Sequence, residues 1–249
     1  MNITYFNWST GKDSALALHE MLQDKTYSIK KLVTTVNSHY NRVSMHGLRV
    51  ELLKAQTEAI GLPVQYIELP EQPNMDDYNS IMTLATTQLK TEGFTHAAFG
   101  DIFLEDLKFY REFQLMEVGL KAVFPLWKRN TKQLILEFLN LGFKAIVVCA
   151  DAKYFNEDFV GSVLSLDVIE NLPEGVDPCG ENGEFHTFCF DGPLFKAPIP
   201  FEVGEKTYRE YPAPNESSKP VGFWYCDLMP MEKSDHSLDR SNFNINSGS

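Results

Sequence analysis

The sequence predicts an α/β protein: an open parallel sheet followed by a smaller α/β domain. Three observations predict it. Short β-rich apolar runs alternate with longer segments of helical period up to about residue 150, the pattern of successive strand–helix–strand units. Beyond Asp151 that rhythm breaks, and Gly and Pro become frequent between Gly161 and Pro200, as in short strands joined by turns. The 249 residues suffice for one large domain and a smaller partner, each with a buried core.

In chain order, the strand candidates are Ile3–Asn7, Leu32–Val36, Val64–Glu68, His96–Gly100, Ala122–Phe124 and Ala145–Cys149, all assigned to the parallel sheet. The helix candidates between them are Ser14–Gln23, Leu48–Ile60, Tyr78–Thr91, Leu107–Val118 and Thr131–Leu141. Gly61-Leu62-Pro63, Glu92-Gly93 and Gly142 mark helix ends, where a left-handed Gly or a following Pro is expected. Residues 1–152 are expected to form the larger domain and 153–230 the smaller. Residues 231–249 are polar and aperiodic and read as a disordered tail.

Composition excludes several classes. A net charge of −12 argues against a broad grip on nucleic acid, which needs clustered Lys and Arg. No apolar run is long enough to cross a bilayer, and the N-terminus lacks a secretory signal, so a cytoplasmic protein off the membrane is expected. Cys149, Cys179, Cys189 and Cys226 are scattered without a C-x-x-C pair, which predicts reduced thiols rather than a zinc site or a disulfide framework.

The most informative segment runs from Asn7 to Leu18, where Ser9-Thr10-Gly11-Lys12-Asp13-Ser14 follows an apolar strand and opens an amphipathic helix. A turn of small residues at a strand's C-terminal end lets backbone N–H groups and the positive helix end converge on an anion. Gly11 permits close approach, Lys12 adds a point charge, and the Ser9, Thr10 and Ser14 hydroxyls can donate to phosphate oxygens. It is not a Walker A loop, because Phe6 and Asp13 stand where that motif needs Gly and Ser or Thr. A capping turn with a chance Gly-Lys is the bland alternative.

Ligands in open parallel sheets sit beyond the C-terminal strand ends, where Asn7, His46 and Asp101 are expected. Asp101 suits Mg²⁺ or a ribose, or it caps a helix. His46 is a binding residue or a surface histidine. Arg111, among Glu105, Asp106, Glu112 and Glu117, contacts an anion or pairs on a solvated face. Glu181, Glu184 and His186 set two carboxylates and an imidazole around a flexible Gly, able to bind a cation, orient ammonia or act as a base. A polar turn of no function is the alternative there.

The loop resembles the pyrophosphate loop, Ser-Gly-Gly-Lys-Asp-Ser, of the ATP pyrophosphatases in the adenine nucleotide α-hydrolase superfamily. Thr10 stands where that motif has its first Gly. Beyond the loop the chain is similar to one branch, the diphthine–ammonia ligases, over roughly residues 3 to 228. The similarity is carried by Ser44-Met45-His46-Gly47, by Leu62-Pro63, by Phe99-Gly100-Asp101-Ile102 with Tyr110-Arg111-Glu112 and Pro125-Leu126-Trp127, and by Pro178 through Phe188. The resemblance implies a Rossmann-like fold and an AMP-forming carbon–nitrogen ligase using ATP and Mg²⁺, in which a carboxylate is adenylated and then amidated by ammonia. It implies that Ser9, Thr10, Gly11, Lys12, Asp13, Ser14, His46, Asp101 and Arg111 bind the nucleotide, with Asp101 the candidate for Mg²⁺. Lys12, Glu181, Glu184 and His186 are the catalytic candidates, the last three on the acceptor side. In the family's best-known case the acceptor is diphthine on elongation factor 2, which requires a eukaryotic or archaeal source. A bacterial source would turn the same chemistry to a small carboxylate, and a non-catalytic ATP or AMP sensor is a reading from another class. The sequence leaves a homo-oligomer open.

Overall fold

The computed structural model describes residues 1–37, 39–43, 47–212 and 220–231. His46, with Ser44 and Met45, and the tail beyond Met231 lie outside the described residues. The first sheet is built from β1 (Asn2–Asn7), β2 (Tyr27–Asn37), β3 (Arg42–Val43), β4 (Val64–Leu69), β5 (His96–Ala98) and β6 (Lys121–Val123). Its parallel strands run in the spatial order β4, β2, β1, β5, β6, and the short β3 pairs antiparallel with the end of β2. Chain order therefore reverses between β1 and β5, a topological switch point with a crevice beyond the strand ends. Thr4, Tyr5 and Phe6 are buried in succession because β1 is the central strand.

The helices that follow these strands are α1 (Lys12–Gln23), α2 (Val50–Ile60), α3 (Met75–Thr91), α4 (Glu105–Glu117) and α5 (Thr131–Asn140), the last leading out of this sheet. Their ends follow local chemistry. Asn74 caps α3 in a reciprocal pair with Asp77, Asn130 accepts from the Gln133 amide at the start of α5, and Gly61 closes α2 at φ 79°.

A second, antiparallel sheet has the order β8 (Phe185–Asp191), β7 (Lys144–Asp151), β10 (Val221–Pro230), β9 (Phe201–Tyr211), accompanied by the short α6 (Leu166–Glu170). Two expectations are corrected here. Residues 144–151 do not extend the parallel sheet: they form an interior strand of the second one, paired antiparallel on both sides. Residues 145–150 are all buried, all but Cys149 in the main core, and an unbroken apolar run looks the same in an interior strand of either sheet. Nor are all the later strands short, since β9 and β10 run 11 and 10 residues. Gly222 leaves room for the Tyr208 ring on the neighbouring strand, which a Cβ there would overlap.

The sheets share one core. Phe6, Leu16 and Leu53 of the first part pack in the same cluster as Ile146, Phe188 and Leu228 of the second. Arg42 and Arg49 both pair with Asp227 on β10, at 2.7 and 2.6 Å. No described helix is long and apolar enough to cross a membrane.

Candidate nucleotide site

The crevice at the switch point opens into a cavity of about 570 Å³, within the usual range for small-molecule sites. Its lining combines Ser9, Gly11, Lys12, Asp13 and Ser14 with Gly100, Asp101 and Arg111 and with Cys179 through Gly183, Phe185, His186 and Thr187. Candidates from the nucleotide side and from the acceptor side thus meet in one cavity, though Thr10 and Glu184 do not line it.

The loop between β1 and α1 is held from all directions. The Ser9 and Ser14 hydroxyls lie 2.7 Å apart, and the Ser9 amide donates to Ser14 Oγ. The Lys12 amide donates to Thr187 Oγ1 at 3.1 Å, fixing the first turn of α1 to β8. A Cβ on Gly100 would lie 2.9 Å from the Ser14 amide nitrogen, a close approach that requires glycine, and one on Gly11 would be tight, 3.2 Å from the Thr187 carbonyl. Asn7 ties the end of β1 to that of β5 by donating from Nδ2 to the Ala98 carbonyl at 3.1 Å.

Thr10 departs from expectation. Its residue is fully buried, it does not line the cavity, and its hydroxyl has no hydrogen-bond partner. Its φ of 74° places a β-branched residue in the left-handed region, at a strain of about 1–3 kcal/mol.

Lys12 is buried, with Nζ 2.7 Å from Asp13 Oδ2, donating to the Cys179 carbonyl and lying 5.4 Å from the centre of the Phe185 ring. Burial alone would lower its pKa, but the neighbouring acidic groups, Asp13 foremost, together outweigh it and the ammonium is held more firmly than usual. Around it three carboxylates crowd together. Burial pushes Glu181 up to about 8, Asp13 adding to the effect and Lys12 opposing it. Asp101 and Asp13 are likewise raised by burial, against the pull of Arg111 and Lys12 respectively. The Arg111 guanidinium lies 4.3 Å from the Phe99 ring centre, and its Nε is 3.2 Å from Asp101 Oδ2. That pair is misaligned, so neither atom has a hydrogen-bond partner.

The loop from Asp177 to His186 separates its acids. Glu184, 2% exposed, does not line the cavity. Its carboxylate accepts from the Asp177 amide at 2.9 Å, the Asn182 amide at 2.9 Å and Asn182 Nδ2 at 3.0 Å, and despite burial these bonds lower its pKa. Asp177 in turn accepts from the Cys179 amide and the Thr131 hydroxyl. Glu181 and His186 do line the cavity, and burial, with Lys12 nearby, pushes His186 down to about 4, leaving its imidazole neutral at pH 7. Burial drives the Cys179 thiol far above its ordinary range, so it is not a nucleophile at neutral pH.

Sequence reasoning missed Gln56. Fully buried on α2, it accepts from Trp8 Nε1 at 2.7 Å and donates to the Thr10 and Cys189 carbonyls at 3.0 and 2.6 Å. The signal was a glutamine on the helix's apolar stripe, three residues after Leu53 and four before Ile60.

Among known proteins, the chain is similar to diphthine–ammonia ligases. That of Bos taurus is 29% identical over 143 residues, 54% of this chain and 51% of the relative. That of Mus musculus is 30% identical over 142 residues with the same shares, and that of Danio rerio 33% identical over 109 residues, 42% and 41%. The chain spans about half the length of the curated relatives it matches. Among solved structures, the U34-tRNA thiolase NcsA from Methanococcus maripaludis with its [4Fe-4S] cluster aligns with 57% of each chain at 18% identity and a TM-score of 0.35. The family models for the diphthamide synthase N-terminal domain, over residues 3–122, and C-terminal domain, over residues 130–213, together match most of the sequence. The chain belongs to the diphthamide synthase family.

Proposed function

We propose that the chain is an ATP-dependent carbon–nitrogen ligase that adenylates a substrate carboxylate, releases pyrophosphate, and amidates the acyl adenylate with ammonia as AMP leaves. One observation carries the reading: the Ser9–Ser14 loop sits at the switch point in the same cavity as Glu181 and His186, so that nucleotide and acceptor can meet. The names of the relatives, diphthine–ammonia ligases, supply the acceptor and the nitrogen donor for this proposal.

In the first step a carboxylate oxygen bonds to the α-phosphorus and the bond to pyrophosphate breaks, so negative charge grows on the leaving oxygens. Lys12 has three N–H donors, two of which go to Asp13 and Cys179, leaving a third for a phosphate oxygen beside the Ser9 and Ser14 hydroxyls. Mg²⁺ fits this site when it arrives with the nucleotide. It needs only one or two carboxylates besides phosphate oxygens, and Asp101 Oδ2 is buried without a hydrogen bond and near Glu181 in the charge network. No cluster of three or more potential ligands occurs among the described residues. Bound there, Mg²⁺ would neutralise pyrophosphate charge.

In the second step nitrogen bonds to the acyl carbon, the bond to AMP breaks, and nitrogen loses a proton. Glu181, its pKa raised to about 8, takes that proton in its ionised form, so this step speeds up as pH rises towards 8. His186, neutral, orients the incoming ammonia, and Arg111 holds an anionic oxygen. Glu184 acts by shaping the loop. We further propose that residues 1–152 serve the nucleotide and 153–230 the acceptor, in a cytoplasmic protein without a nucleic-acid partner. Where the source cell makes diphthine, elongation factor 2 is the partner; elsewhere a small carboxylate takes its place. The test supplies Mg-ATP, ammonium and diphthine-bearing elongation factor 2, or a panel of small carboxylates. Acceptor-dependent release of AMP with an amide product is expected, and bound but unhydrolysed ATP under every acceptor would favour a sensor.

A further inference from the structure

The phosphate loop holds a shape that its own sequence does not favour. Thr10 is β-branched, sits at φ 74°, and gains nothing from its buried, unpartnered hydroxyl. Groups outside the loop must therefore hold it. The Cys189 amide donates to the Thr10 carbonyl at 2.9 Å, and Gln56 Nε2 donates to the same carbonyl at 3.0 Å while also reaching the Cys189 carbonyl at 2.6 Å. On its other side Gln56 Oε1 accepts from the Trp8 indole at 2.7 Å. The amide orientation is self-consistent, because an indole N–H can only donate and two carbonyls can only accept.

We propose that Gln56 is a positioning residue for the phosphate loop: it clamps the residues on both sides of Ser9, keeps Thr10 left-handed, and so holds Gly11, Lys12 and Asp13 at the cavity wall. The proposal rests on the reading of this loop as the ATP site. Packing alone does not account for a glutamine here, since leucine or methionine would fill a fully buried position on the apolar stripe of α2 without a polar amide to satisfy. Its three hydrogen bonds converge on the loop, the adjoining strand end and β8, and so couple the second sheet to the loop.

The experiment compares full-length wild type, Gln56→Met, Thr10→Gly and the double variant by Mg-ATP calorimetry below the melting range, by thermal melting, and by the indole ¹⁵N–¹H resonance of Trp8. Gln56→Met should weaken Mg-ATP binding about tenfold or more and shift that resonance. Thr10→Gly should restore affinity severalfold in the Gln56→Met background, and by less in wild type, because glycine adopts the left-handed conformation without being held. If Gln56→Met does not fold, Gln56→Glu replaces it: buried against two carbonyls it stays a carboxylic acid, keeps the acceptor for Trp8 and has one donor in place of two, so a smaller loss and the same rescue are expected with the resonance near its wild-type position. Wild-type affinity in a Gln56 variant, with only the melting temperature lowered, overturns the proposal, as does a double variant no tighter than the single. If wild type itself fails to bind Mg-ATP, the ATP reading is lost, and the melting temperatures decide the clamp. Greater stabilisation by Thr10→Gly in the Gln56 variant than in wild type supports it, and equal shifts overturn it.

Discussion

From Ser9 to Ser14 five of six residues line the cavity, and their polar groups lie in one short stretch of chain. From Asp177 to His186 the acids divide, Asp177 and Glu184 accepting amides of their own loop while Glu181 alone of the three lines the cavity. A cluster of chemistry-bearing residues in sequence is not yet a cluster in space. A strand, a tight turn and a helix fix where a phosphate loop points, whereas an irregular acidic loop must first satisfy its own buried amides.

The largest expected effect breaks the first side of the comparison. Lys12→Ala removes a charge-assisted contact worth about 1.5–3 kcal/mol, so Mg-ATP affinity should fall roughly ten- to a hundredfold by calorimetry. Gly100→Ala should come next, because the added Cβ meets the Asp13–Ser14 backbone and not a flexible side chain. Overpacking of this kind costs about 1–3 kcal/mol, and here weaker ATP binding should accompany the lower melting temperature.

On the acidic side, Glu184→Gln and Glu181→Gln should separate. Whichever way the new amide turns at 184, it sets an NH₂ group against a donor that the carboxylate had accepted from, so stability should drop by about 1–3 kcal/mol in denaturant titrations. Glu181→Gln should instead leave stability near neutral pH unchanged or raised, and slow acceptor-dependent AMP release.

The pH dependence sharpens the same contrast. The folded-state pKa of Glu181, about 8, lies above the ordinary value of 4.5, so the folded form binds the extra proton. Its contribution is present below pH 4.5 and is lost as pH rises towards 8. His186, pushed down to about 4, has the opposite sign: its contribution is present above pH 6.5 and is lost as pH falls towards 4. Chemical denaturation of the nucleotide-free protein across pH 4–8.5 should therefore show a decline above neutrality that Glu181→Gln flattens. The smallest effect serves as the remote control: Asn74→Ala at the α3 cap should cost about 1 kcal/mol of stability and leave ATP affinity alone.

The parallel sheet was legible because its signals are local. β1, β2, β4, β5 and β6 each precede a helix in the chain, and Gly61, Gly93 and Gly142 mark helix ends in the sequence as they do in space, whereas the Asn74 cap lies four residues ahead of the start read at Tyr78. The second sheet was not, because β7 joins β8 and β10 through pairings between residues far apart in sequence, and an all-apolar strand carries no mark of its partners' direction. The phosphate loop could be read from six residues, yet the burial of Thr10 and the clamp from Gln56 depend on α2 and β8 arriving at one place. Glu184 misled for the same reason: its three donors come from Asp177 and Asn182, and only the folded turn aims them at it.

The central claim is that this loop presents ATP for attack at the α-phosphorus. Chromatography of the nucleotide products, with Mg-ATP, ammonium and diphthine-bearing elongation factor 2 supplied to wild type and Lys12→Ala, tests it most directly. AMP and pyrophosphate in equal amounts, dependent on the acceptor and lost in the variant, are the result expected. ADP and phosphate as the main products would contradict it.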